Sequence, residues 1–143
     1  MSCPPTILVC FAVEEEAKPF RKATRDYPPI RILVTGIGRN NARRLTIEAL
    51  SEGKPEAVLT CGFAGGLNHA LPRGTVLFAG ENNFPHTECL KKAGAKLGSF
   101  HCTDRVLITK AEKEAAHKAT GADAVEMESC AIWQVCEEAS IPC

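Results

Sequence analysis

Several features are missing from this sequence, and each gap closes a class of function. Lys+Arg and Asp+Glu both total 17, a formal net charge of zero, so there is no basic surface for nucleic acid or an anionic membrane. No apolar run reaches the roughly 18 residues that span a bilayer. Residues 1–10 lack the charged start and long apolar core of a signal peptide, so a cytoplasmic location is expected. Among 8 cysteines no pair has CxxC spacing, and the 4 histidines (His69, His86, His101, His117) are scattered. That argues against a structural zinc site, leaves no metal to expect, and makes the histidines surface or structural residues. Cys10, Cys61, Cys130 and Cys136 lie inside apolar patterns, which favours reduced, buried thiols over disulfides. No internal repeat, low-complexity tract or linker interrupts the chain, so residues 1–143 are expected to form a single domain.

What is present alternates in period. Thr6–Ala12, TILVCFA, is a continuous apolar run suited to a strand covered on both faces. Val13–Arg21 opens with Glu14, Glu15 and Glu16, as a helix start does, and Pro19 is expected in its first turn. Ile30–Thr35 reads as a second strand after Pro28 and Pro29, closed by Gly36 and Gly38. Asn40–Ser51 has helical spacing (Ala42, Leu45, Ala49, Leu50), and Ala57–Thr60 is a third strand. Thr75–Ala79 is a further strand, Glu81–Glu88 a loop over a pocket, and Ser99–Thr109 two strand-like pieces around Thr103–Arg105. Lys110–Thr120 is a helix capped by Gly121, Ala122–Val125 a short strand, and Met127–Ala139 a helix burying Ile132, Val135, Cys136 and Ala139. Ile141–Cys143 has the character of a strand's first residues. Strands alternating with helices over short connections predict an α/β domain with a mainly parallel sheet.

Three stretches carry candidate chemistry. TCGFAGGL, residues 60–67, ends the third strand in three glycines within five residues, either an ordinary bend or a turn that lets a ligand reach the backbone. Glu14–Glu16 stand at the end of the first strand, as solvated dipole partners or, facing a pocket, as a general base for water. Glu126 and Glu128 bracket Met127, and a carboxylate there can accept two hydrogen bonds from the vicinal hydroxyls of a ribose. Gly36-x-Gly38 follows a strand and precedes a helix, yet Asn41 stands where a dinucleotide fingerprint has its third glycine.

Taken in order, ILVCFAVEEE, TGIGRNNA, CGFAGGLNHALPRGTVLFA and AVEMESCAIWQVCEEASIPC resemble the nucleoside phosphorylase and nucleosidase superfamily, in particular its methylthioadenosine and adenosylhomocysteine nucleosidase branch. The resemblance implies a mixed, mainly parallel sheet flanked by helices, lacking the family's C-terminal strand and helix. It implies cleavage of the N-glycosidic bond of a purine-type nucleoside by water. The alternatives it leaves are phosphorolysis and a non-catalytic nucleoside-binding or storage-type homologue. No cofactor is implied. Its partners are a small-molecule nucleoside, with phosphate as second reactant if the reaction is phosphorolytic. Relatives are commonly dimers or larger, so a homo-oligomer is expected. Position by position, Glu16 resembles the acid that activates water, and Glu128 the carboxylate that holds the ribose hydroxyls. Phe63, Ala64, Gly65, Val106, Val125 and Met127 fall among substrate-binding positions, and Gly36, Gly38 and Arg39 in the phosphate or nucleophile pocket. Phe63 stands for a small residue and Val106 for an aromatic one. The family's Ser and Asp pair, whose Asp protonates the leaving purine, lies beyond position 143.

Overall fold

The computed structural model describes residues 6–27, 29–80 and 84–143. In chain order the elements are β1 (Ile7–Phe11), α1 (Glu14–Ala23), β2 (Ile30–Val34), α2 (Arg39–Glu52), β3 (Ala57–Thr60), β4 (Gly65–Gly66), β5 (Leu77–Phe78), α3 (Thr87–Lys92), β6 (Lys96–Leu97), β7 (Phe100–Cys102), α4 (Lys110–Thr120), β8 (Ala124–Glu126) and α5 (Ser129–Glu138). The result is the α/β architecture that the alternation predicts. Two compact units form: residues 1–63 together with 128–143, and residues 64–127.

In the first unit β2, β1 and β3 make a parallel sheet in that order, with Ile7 opposite both Ile30 and Ala57. The continuous apolar character of β1 follows from its central place, because alternate residues serve different faces. Leu8 and Cys10 join Val58 and the buried side of α2 and α5 (Ala42, Ala49, Ala131, Ile132, Cys136), while Val9 and Phe11 join Ala17 of α1. Removing a Leu- or Ile-sized side chain from water contributes about 1.5–3 kcal/mol, and the first cluster holds Leu8, Ile132 and Ile141 among smaller Ala, Cys and Val side chains. Beside β3, Val58 N–H donates to the Pro142 carbonyl at 2.9 Å, so the strand-like character of Ile141–Cys143 has a partner although no strand forms there.

In the second unit β8 lies between β4, antiparallel to it, and β7, parallel to it, and β5 pairs with β6 in parallel. Leu67, Ala122 and Val125 form its core, with Leu107 and Ala116 packed against them. Asp123 is a hub for the strand ends: its carboxylate accepts from Asn68 Nδ2 at 2.8 Å and Ser99 N–H at 2.9 Å, and its carbonyl accepts from the N–H groups of Leu67 and Asn68. These bonds hold the Asp123 carboxyl below the ordinary carboxylate value, Asn68 most of all.

Four expectations are corrected. Pro19 is in the second turn of α1, because extended Val13 sets the start at Glu14 and the three glutamates fill the first turn; its exposed ring meets no core there. The stretch 81–88 is not a continuous loop: Thr87 and Glu88 open α3, a helix that its lack of apolar period conceals, and 81–83 lie outside the described residues. Of the two strand-like pieces only Phe100–Cys102 is a strand, since Thr103–Thr109 turns into the cap of α4. Cys130 is exposed, being on the side of α5 opposite Ile132 and Cys136.

Candidate active site

The three glutamates at the start of α1 have separate fates. Glu14 and Glu15 are exposed, and Glu14 pairs with Arg21 across the helix surface at 3.3 Å. Glu16, partly buried, turns toward the end of β3. Its Oε1 accepts the Phe63 N–H at 2.9 Å, and Oε2 is buried with no partner among the described residues. Between them lies Gly62, where a Cβ atom would stand 2.8 Å from Glu16 Oε2 and 3.0 Å from Oε1. The first glycine of the 60–67 turn is therefore a place of close approach by a carboxylate. A buried acceptor without a donor costs about 1–3 kcal/mol, so Oε2 is a natural seat for a donor such as water.

A second carboxylate is fixed in the same unit. Glu128, at the N-cap of α5, accepts the Gly38 N–H through Oε1 at 2.7 Å. Gly38 is the N-cap of α2 with φ +94°, a conformation glycine adopts without strain. Gly36, at φ +76°, shares this loop, anchored by the buried Thr35 hydroxyl, which donates to the Gly36 carbonyl at 2.9 Å. Arg39 opens α2. The α2 N-terminus thus already has an anion at its amide, the role such a terminus offers a phosphate elsewhere.

In the second unit, Gly65 and Val125 pair across β4 and β8, and a Cβ at Gly65 would stand 2.9 Å from the Val125 methyl. Ala64 is exposed, Met127 is half-buried after β8, and Val106 is exposed in the segment before α4. That segment is pinned by a residue outside the expected set. Glu112 accepts from Ile108 N–H at 3.0 Å and Thr109 N–H at 2.9 Å, and pairs with Arg105 at 2.7 Å. Together these bonds hold its carboxyl at about 2, with the Thr109 amide the largest cause.

Residues 11–84 and 86–143 match the family described as the phosphorylase superfamily. The chain belongs to that superfamily. A 5′-methylthioadenosine/S-adenosylhomocysteine nucleosidase of Staphylococcus carnosus is 27% identical over an alignment 157 positions long that spans 86% of this chain and 68% of that protein. The nucleosidase of that name from Campylobacter jejuni superposes with TM-score 0.83 at 18% identity, over 98% of this chain and 82% of the other. A mutant of futalosine hydrolase from Helicobacter pylori gives 0.84 at 19%, over 98% and 86%. These two structures share the fold.

In this phosphorylase-superfamily chain, the cysteines near the carboxylates are poor candidates for nucleophiles. Burial pushes the Cys61 thiol up to about 11, Cys143 and Glu16 adding to it. Burial likewise takes Cys10 to about 12, with Cys143 and Cys61 adding and the Thr46 hydroxyl opposing. Both are thiols at neutral pH. Sequence reasoning passed over Gly62 in the first unit and Glu112 in the second. For Glu112 the signal was available, since Thr109 followed three positions later by Glu is a capping box. Gly62 gave only its type, because the contact it permits comes from a residue far away in sequence. Among the described residues, no helix is long and apolar enough to cross a membrane.

Proposed function

We propose that this chain is a nucleosidase that cleaves the N-glycosidic bond of a purine nucleoside with water, and that Glu16 is its general base. The observation that carries the proposal is the Glu16 carboxylate, anchored by Phe63 N–H through one oxygen while the other is a buried acceptor with no donor among the described residues. A water proton passes to that carboxylate as the water oxygen bonds to the anomeric carbon. The C–N bond breaks and its electron pair leaves with the base nitrogen, which then takes up a proton, while Glu16 returns its own to solvent. Atoms and charge balance: water and nucleoside give ribose and free base. Glu128 is assigned to the ribose hydroxyls, with one oxygen fixed on Gly38 N–H.

The same bond favours hydrolysis over phosphorolysis. Phosphate arriving at the Gly36–Arg39 loop meets a carboxylate already on the Gly38 amide, and like charges in one site repel. The names of the nucleosidase relatives support methylthioadenosine as the first substrate to try. The family resemblance supports a cytoplasmic homo-oligomer with Phe63, Ala64, Gly65, Val106, Val125 and Met127 at the substrate. The deciding experiment is adenine release from methylthioadenosine with and without phosphate, using the chain and its Glu16→Gln variant. Release without phosphate, lowered by about two to four orders of magnitude in the variant with binding kept in calorimetry, is expected. An absolute phosphate requirement contradicts the hydrolase, and equal turnover by the variant removes Glu16 from the role.

A further inference from the structure

Position 62 has no role in the reaction as described, yet it lies against the reacting carboxylate. The ideal Cβ position at Gly62 is 2.8 Å from Glu16 Oε2, 3.0 Å from Cδ and 3.0 Å from Oε1. Separations under 3.0 Å cannot be held between a carbon and a carboxylate oxygen, so a side chain here requires movement. The backbone cannot give easily, because Cys61 N–H is bonded to the Cys10 carbonyl at 2.8 Å in continuation of the β1 and β3 pairing, and Phe63 N–H holds Glu16 itself. Glu16 belongs to α1, whose first turn is fixed by the Val13 carbonyl accepting from the N–H groups of Glu16 and Ala17, with Ala17 fully buried. The carboxylate is therefore the part that yields. Rotating it away breaks the 2.9 Å bond to Phe63 N–H.

We infer that Gly62 is a positioning residue: the absence of a side chain there lets the Glu16 carboxylate lie flat against the end of β3, one oxygen on Phe63 N–H and the other shielded and open to a donor. The inference rests on Glu16 as general base. Its geometric half stands apart from catalysis and can be tested apart from it. Displacing a catalytic group by about 1 Å costs on the order of 100-fold in rate, so Gly62→Ala is expected to lower kcat for methylthioadenosine by about that factor. KM should stay within about 3-fold, because ground-state binding does not run through the displaced atoms.

The control is non-additivity. Aspartate is one methylene shorter and withdraws from position 62, so in a Glu16→Asp background the alanine substitution should cost less than about 3-fold beyond the Asp variant alone. The activity-independent readout is the Phe63 amide in a 15N–1H correlation spectrum of the 143-residue chain. With Gly62 present it lies downfield, as an amide bonded to a carboxylate does, and Glu16→Gln moves it; in Gly62→Ala it lies upfield and Glu16→Gln leaves it in place. An unmoved Phe63 amide, or wild-type kcat in Gly62→Ala, overturns the inference. If wild-type protein releases no adenine, the nucleosidase proposal fails for this substrate, and the amide still decides the geometry. Gly62 has φ +156°, where an alanine is strained whatever its neighbours, so should Gly62→Ala be too unstable to assay, Glu16→Ala added to it recovers part of the lost melting temperature if the carboxylate collision contributes. No restoration also overturns it.

Discussion

Glu16 and Glu112 show how differently two carboxylates can be used in one chain. Glu112 accepts from the Arg105 guanidinium on one oxygen and from the Ile108 amide, the Thr109 amide and the Thr109 hydroxyl on the other. Glu16 keeps one oxygen without a partner among the described residues. The first is structural, and its pH dependence has a definite sign. Its folded value of about 2 is below the ordinary 4.5, so the folded state gains from its ionisation above 4.5, and that gain is lost as pH falls from 4.5 through about 2. Asp123, held low chiefly by Asn68, has the same sign. Glu112→Ala should therefore lower the melting temperature at pH 7 and flatten its fall between pH 4.5 and 2, as scanning calorimetry across that range would register. An unchanged pH profile would mean that the 105–109 segment does not depend on this carboxylate. The exposed side chains of Val106 and Ile108 ride on this pinned segment.

At the scale of elements, the core of the first unit is where α2 and α5 meet β1 and β3. Ile132 on α5 is 1% exposed among Leu8, Val58 and Ala131. Truncation of such a side chain removes transfer free energy and leaves a cavity, so Ile132→Ala should cost about 2–5 kcal/mol, measured as a lower urea midpoint with unchanged slope. A loss below about 1 kcal/mol would show that the helix repacks freely. Elements like this one were legible in the sequence because their signals are local. TILVCFA declares a two-faced strand, Lys110–Thr120 is alanine-rich and ends at Gly121, and Ile132, Val135 and Cys136 recur at helical spacing. The misjudged ones lack local signals: α3 is six residues with none buried, and Pro19 is a residue usually found earlier in a helix. The carboxylates of the candidate site could be named as Glu16 and Glu128 from motifs. Their anchors, Phe63 N–H and Gly38 N–H, are backbone groups brought by the fold from 47 and 90 residues away, and no spacing encodes them.

For the whole molecule, the division into residues 1–63 with 128–143 and residues 64–127 is also an order of events. The second unit is one uninterrupted segment. The first is split, and its core brings Leu8 against Ile132 and Ile141, so it cannot close until residues 132–141 exist. On a ribosome, which delivers the chain from its N-terminus, the later segment has all its own residues before the earlier one has its full core. Long-range contacts also form slowly because loop closure must precede them. Stalled chains released at about residue 127 should therefore protect amides of β7 and β8 from hydrogen exchange while those of β1 and β3 stay open. Equal protection of all four strands at that length would contradict this order. By the same reasoning the Glu128 anchor on Gly38 arrives after the whole 64–127 segment, so a chain terminated before residue 128 is a folded fragment without the candidate site's second carboxylate.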